Sequence, residues 1–387
     1  MTAPRVKTKH DIVAAVEAAL LQKLRECGSI ARVDLARELK LSPSTVGIYV
    51  SRLIAEGYVD EGEQVTRKFG RPATILSRRP SGGRFVGVDM EARNIYVMSV
   101  DFAQQQIAHR HARLTSKERS TEAVMLRAET LIDDIGRGDN RKLLGIGIGV
   151  PGKVDPVRGV AVHYKHIFDW RNVPIRERLQ QRFAVPVQIE NNVRSRALAE
   201  LWFGRAKGLK NFVCVVLRTG IGAGIVADGQ LARGMDNAAG EIGAWQCYLP
   251  GHSDTNSVET LESLASVNGI LERYAASSGV ELRTFSAFLE RLRANDPLAQ
   301  RMIADASQVC GVFIAQMNLM LNPERIIIAG DVVEAGDPFM QPLRVAAAAA
   351  PSTPMSSPAQ IELSELGLFG GAMGAAALAA QAWRPAR

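Results

Sequence analysis

The sequence predicts an α/β protein in two parts: a small N-terminal helix-turn-helix unit, then two lobes in which strands alternate with helices around a cleft. Three observations carry that reading. Positive charge gathers at one end, where residues 1–84 hold 15 Lys and Arg against 9 Asp and Glu, a net +6, while the rest of the chain carries +1. Two short apolar helical stripes joined by a tight turn follow within residues 31–57, and beyond residue 84 the strand-helix alternation runs through twice. At 387 residues the chain is too long for one hydrophobic core, and an apolar content of 47% excludes wholesale disorder.

Residues 12–26, IVAAVEAALLQKLRE, place Ile12, Val16, Leu20 and Leu24 on one helical stripe, with Gly28 as its stop. A second stripe runs through Leu35, Ala36 and Leu39, and a third through Val46, Val50, Leu53 and Ile54. Ser42 is placed to cap the third helix, with Pro43 at its first position. Two short helices joined this tightly form a helix-turn-helix, whose second helix presents Ser42, Ser44, Thr45, Ile48, Tyr49 and Arg52 to a DNA major groove. The segment 58–80 reads as a two-stranded wing carrying Arg67, Lys68 and Arg71 to the DNA backbone or a minor groove. Clustered cations in this one unit suit a polyanionic partner.

RRPSGGR, residues 78–84, is polar and rich in Pro and Gly and marks a flexible boundary. The expected division is a DNA-binding unit over 1–78, a linker over 79–84, a first lobe over 85–205 completed by the C-terminal helix 367–387, and a second lobe over 206–366. In the first lobe, strands are expected at 86–89, 95–101, 107–113, 144–150 and 187–190, and helices at 121–135, 175–183 and 194–203. In the second, strands are expected at 212–217, 225–227 and 325–328, with TGIGAG as a turn and helices near 261–275 and 298–321.

No apolar run approaches the length of a membrane span, and the N-terminus lacks a signal-peptide pattern, so a cytoplasmic protein without a membrane partner is expected. Cys27, Cys214, Cys247 and Cys310 are widely spaced with no CxxC pair, which suits reduced structural thiols.

The stretch QIENNVRSRALAE, residues 188–200, breaks from a strand into a helix at two adjacent asparagines. Such a corner is where α/β proteins hold small ligands. A catalyst that deprotonates a hydroxyl would want a carboxylate there, and Asn191 and Asn192 bind without accepting a proton. One of the pair can cap the helix, which leaves the other for a ligand.

Taken together, VGVD, GIGIGVPGKVD, DWRNVPI, IENNVRSRALAE, TGIGAGIV, GEIG, VETLES and IIIAGD, in this order and spacing, resemble the ROK family (repressors, open reading frames and sugar kinases), and the helix-turn-helix with its GRP wing resembles the family's repressor branch. The resemblance covers residues 85–380 and implies a two-lobed actin-like ATPase fold of the ribonuclease H-like kind. It further implies a sugar site made here by Gly152 with Lys153, His166, Asn191, Asn192, Glu241 and Glu259, while His163 and Lys165 beside His166 leave an acidic or phosphorylated ligand open. Three departures from the family pattern follow. Asn192 stands where the family's kinases have their catalytic Asp; Met90 and Glu91 occupy what should be a glycine cradle for ATP phosphates; and Asp331 stands where the adenosine region has a further glycine. The family's structural zinc loses its His to Ala244 and its cysteine loop is shortened, so neither metal nor cofactor is expected, and packing of Trp245 and Tyr248 is expected to hold the loop, with Cys247 and His252 too few for a closed site. The expectation is a dimeric or tetrameric, sugar-responsive DNA-binding transcriptional regulator, a repressor relieved by a sugar or related polyol and without catalytic residues. The alternative is a sugar kinase with an appended DNA-binding head.

Overall fold

The computed structural model describes residues 9–65, 73–118, 120–247, 259–349 and 357–385. The N-terminal unit comprises α1 (Lys9–Cys27), β1 (Ser29–Ala31), α2 (Arg32–Glu38), α3 (Pro43–Ala55), β2 (Val59–Val65) and β3 (Ala73–Arg78). Ser42 Oγ accepts the Thr45 N–H at 3.1 Å and Pro43 opens α3, so the helix starts where the side chains dictate. Leu20, Leu24, Leu35, Val46, Val50, Leu53 and Leu76 are all fully buried and form the unit's core. The expected two-stranded wing is part of a three-stranded sheet in the order β1-β3-β2, because Ser29–Ala31 pairs antiparallel with β3. Three residues are too few for an alternation to show in sequence.

The first lobe holds β4 (Arg84–Met90), β5 (Asn94–Asp101), β6 (Gln106–Arg113), α4 (Thr121–Gly136), β7 (Leu143–Val150), a small sheet of β8 (Lys153–Asp155), β9 (Val160–His163) and β10 (Arg171–Val173), then α5 (Ile175–Phe183), β11 (Val187–Asn191) and α6 (Asn192–Phe203). The second lobe holds β12 (Phe212–Leu217), β13 (Ile221–Ala227), β14 (Gln230–Leu231), β15 (Gln246–Cys247), β16 (Glu259–Thr260), α7 (Leu261–Ala265), α8 (Val267–Ser278), α9 (Phe285–Arg293), α10 (Pro297–Leu321), β17 (Arg325–Ala329), α11 (Asp337–Ala349) and β18 (Gln360–Leu363). The closing helix α12 (Gly370–Ala382) returns to the first lobe. The two main sheets share one plan, β11-β7-β4-β5-β6 and β14-β13-β12-β17-β18: an antiparallel three-strand meander followed by two parallel strands. TGIGAG is mostly strand rather than turn, since β13 begins at Ile221 and only Thr219 and Gly220 make the bend.

Helix α12 lies directly on β4 and β7. The approach needs glycine on the sheet, because a Cβ at Gly87 would collide with the Ala372 carbonyl and one at Gly147 with the Ala375 carbonyl. Helix α6 runs between α12 and strands β12 and β13, so both lobes pack against it. Its Arg194, Ser195, Arg196 and Glu200 are buried, and their polar atoms are met mostly from the two lobes: Arg194 by Glu190 and the Asn237 carbonyl, Arg196 and Glu200 by Ser364.

The stretch expected as a flexible boundary is a packed joint. Arg79 donates to Asp60 at 2.6 Å, residues Pro80–Gly82 form a helical turn, and Gly83 is buried against Leu144. Tyr58 of the N-terminal unit stacks against Phe102 and Trp383, whose rings meet Phe85 in turn, and one apolar cluster runs from Leu20 through Phe102 to Trp383. Arg25 of α1 donates to the Ala380 carbonyl and lies 5.4 Å over the Trp202 ring, and Arg78 donates to Gln104 at 2.7 Å. The apolar partners of this joint lie far apart in sequence, which is why the Pro-Gly composition misleads. Among the described residues, no helix is long and apolar enough to cross a membrane.

Candidate functional site

A cavity of about 320 Å³ opens between the lobes, above the ends of β7, β11 and β12. Gly152, Lys153, His166, Asn191, Asn192 and Glu241 line it, as expected by resemblance. Glu259 does not: its carboxylate accepts the Ser263 hydroxyl at 2.6 Å, and Glu262 faces the cavity instead, bound to the Ile221 N–H at 3.3 Å. Three residues further along the chain, past the start of α7, the same side-chain type is turned to the cleft. Gly152 has φ 75° and packs against the His163 carbonyl, a place only glycine fills without strain.

The asparagine pair divides its work. Asn191 Oδ1 accepts the Val193 and Arg194 N–H groups at 2.9 and 3.2 Å, capping α6, while its Nδ2 donates to the Gly152 carbonyl at 3.0 Å. Asn192 donates to the Met90 carbonyl at 3.0 Å, and its Oδ1 has no partner among the described residues, so it is the member that can meet a ligand hydroxyl. Neither has a carboxylate to take a proton.

At one end of the cavity stands an ion cluster. Met90 is not part of it; its side chain is buried in the first lobe's core. Glu91, on the cavity wall, is joined to Arg218 from the second lobe, and Arg218 also reaches Asp89 at 3.1 Å. Burial pushes Asp89 up to about 6 against the pull of Arg218. Burial and then Glu91 likewise push Asp331 up to about 6. An anionic triphosphate at this place would meet Asp89, Glu91 and Asp331 with Arg218 already shared and Arg196 also drawn to Asp89 and Asp331.

Other pairs tie the lobes around the cavity. Glu190, fully buried and held by Arg194 of its own lobe at 2.8 Å, reaches Arg233 at 2.7 Å; Lys153 meets Asp236 at 3.3 Å and Lys165 meets Glu262 at 3.5 Å. Tyr164 lines the cleft beside Thr219 and its ring meets His166 edge-on. Desolvation raises the Glu241 carboxyl above its ordinary range, with Arg194 opposing. Sequence reasoning passed over Arg218, Arg233 and Glu262. For Arg218 a signal was there: one cation directly follows the apolar run FVCVVL, just ahead of a Thr-Gly bend.

On the N-terminal unit, the exposed stripe of α3 is Ser44, Ile48 and Ser51, with Ile48 70% exposed. Ser51 was not foreseen, although it is three residues beyond Ile48. Ser42 Oγ is engaged with Thr45 and Ser44, and Tyr49 is half-buried against the unit's core. Arg52 stands in the last turn of α3 and is bound to Glu56 at 2.7 Å and Glu17 at 3.3 Å, so its guanidinium joins α3 to α1 rather than extending beside Ser44. Arg67, Lys68 and Arg71 lie outside the described residues.

In the second lobe, Ala244 offers no ligand atom, and Cys247 is buried, its thiol donating to the Trp245 carbonyl at 3.6 Å. Among the described residues no cluster of His, Cys, Asp or Glu could hold a metal ion. Trp245 packs on Phe313 at 3.9 Å between ring centres; Tyr248 and His252 lie outside the described residues.

Two sheets of one plan around a ligand cleft, preceded by a winged helix-turn-helix, define a DNA-binding protein type built on a sugar-kinase fold. Residues 85–382 match the model of the ROK family, and the chain belongs to that family; residues 19–60 match a model described as winged helix-turn-helix DNA-binding. The chain is 27% identical over 330 residues to the xylose repressor of Caldicellulosiruptor bescii, covering 81% of this chain and 82% of that one. It is 31% identical over 249 residues to a glucokinase of Halalkalibacterium halodurans, covering 60% and 74%. A solved ROK family transcriptional regulator, described as a homologue of the Escherichia coli MLC protein, superposes with a TM-score of 0.78 over 95% of this chain and 96% of that one at 23% identity.

Proposed function

We propose that this protein is a sugar-responsive transcriptional regulator, a repressor whose hold on operator DNA is relieved when a sugar or related polyol enters the cleft. The observation that carries it is Asn192 in its setting. A cleft that retains amides and carboxylates for hydroxyls has an amide in place of the general base, and Arg218 with Glu91 stands where a nucleotide's phosphates belong. A missing general base alone lowers a rate about 10²- to 10⁴-fold. The winged helix-turn-helix match and the named repressor among the relatives support the DNA-binding half.

The regulator works in the cytoplasm as a homodimer or homotetramer, since paired helix-turn-helix units reach half-sites about 34–36 Å apart. A ligand that prefers one closure state of the lobes changes that spacing through the packed joint at Tyr58, Phe102 and Trp383. The test is fluorescence anisotropy of the full chain on DNA from upstream of its own coding sequence, with and without a panel of hexoses and pentoses, beside a coupled ADP-release assay. Specific DNA binding that weakens with one sugar, and no ADP release, is the expected result. ADP release that depends on a sugar would make the chain a kinase with a DNA-binding head.

A further inference from the structure

The geometry points to an uncharged, unphosphorylated sugar as the ligand of this cavity, with phosphate esters of the same sugars excluded. This inference rests on the sugar-binding reading above and narrows it.

Proteins fix phosphate with cations, with free N–H groups at helix N-termini and with the amides of glycine turns. Around this cavity the Lys and Arg side chains and several of the amides are already engaged. Arg218 is bound by Asp89 and Glu91. The N-terminus of α6 points at the cleft, but its Val193 and Arg194 amides are taken by Asn191 Oδ1. The Ile221 amide, just past the Thr219–Gly220 bend, donates to Glu262, and the same carboxylate holds Lys165. Lys153 is held by Asp236.

Charge balance agrees. With the lining His163 and His166 counted neutral at pH 7, three cations, Lys153, Lys165 and Arg218, stand against three carboxylates, Glu91, Glu241 and Glu262, so no fixed positive surplus remains. Glu241 has no ion-pair partner among the described residues, which leaves one carboxylate to accept hydroxyl donors. A phosphate group brings about −1.5 to −2 charge at pH 7 and would have to displace an internal carboxylate from a cation while sitting near Glu241. Hydroxyls need no such exchange: Asn192 Oδ1 and the Glu241 carboxylate accept from them directly. A neutral ligand therefore leaves the ion pairs between the lobes intact.

The test is isothermal titration calorimetry of the full chain with D-glucose, D-mannose and N-acetyl-D-glucosamine against their 6-phosphates, and D-xylose against its 1-phosphate, all at one ionic strength. At least one neutral sugar binds, and its ester binds at least tenfold more weakly. In Glu262→Gln, a near-isosteric change that frees Lys165, that ratio narrows at least threefold. An ester that binds the wild type as tightly as its parent overturns the inference and leaves the sugar-responsive reading standing, as does an unchanged ratio in Glu262→Gln. Binding by no member of the panel overturns both.

Discussion

Arg218 does by charge what a nucleotide would do by binding: it joins the floor of one lobe to the wall of the other. It is 8% exposed and Asp89 fully buried, so breaking the cluster leaves buried carboxylates without the cation that pairs them. Removing one partner of a buried pair costs about 3–5 kcal/mol, and Arg218→Met is expected to lower the unfolding free energy by that order, read as a lower melting temperature in calorimetry, with the larger part of the loss at pH 7 and above, where the carboxylates are charged. Asp331 titrates in the same cluster. Its folded value of about 6 lies above its ordinary 3.8, so its contribution is full below pH 4 and is lost as pH rises through 6. Relative to Asp331→Asn, the wild type should lose up to roughly 3 kcal/mol between pH 4 and 7, read from urea midpoints across that range. A flat difference between the two proteins would show that Asp331 is not held at a raised value.

Among the elements, α3 and α6 carry the two halves of the function. Helix α3 buries Val46, Val50 and Leu53 and turns Ser44, Ile48 and Ser51 outwards. An isoleucine 70% exposed on this face suits contact with a thymine methyl group. Ile48→Ala is expected to weaken binding to the cognate DNA by about 1–3 kcal/mol while leaving the melting temperature unchanged, measured by anisotropy and thermal denaturation on the same preparation. Equal affinity for cognate DNA before and after the change would remove Ile48 from the reading surface. Helix α6 differs in kind: it starts at the ligand corner with Asn191 as cap and ends near Trp202, on which Arg25 of α1 rests. One rigid element thus touches both the cavity and the DNA-binding unit.

For the molecule as a whole, the joint between that unit and the first lobe decides whether closure of the cleft reaches the DNA. Trp383, 6% exposed, is its keystone, meeting Tyr58, Phe85 and Phe102. Truncating a buried aromatic costs about 3–5 kcal/mol, so Trp383→Ala should split thermal unfolding into two transitions, the lower one belonging to residues 9–78. It should also leave sugar binding in place while DNA affinity ceases to respond to the sugar. A single transition at the wild-type temperature would mean that the joint contributes little.

The sequence by itself determined what local chemistry specifies. Periodicity placed most of the long helices and strands but missed α9 and α11 and ran α7 and α8 together, Ser42 and Pro43 set the start of α3, and Asn192 in place of a carboxylate was legible as residue type alone. Short pairings such as β1 with β3 and the β8–β10 sheet were not, because three or four residues show no period. Only the tertiary structure decided that Arg218 meets Asp89 across 129 positions of chain, that Glu262 rather than Glu259 faces the cavity, and that RRPSGGR is a packed joint. Charge pairing and aromatic contact depend on distance in space, and a folded chain sets that distance without regard to separation along it.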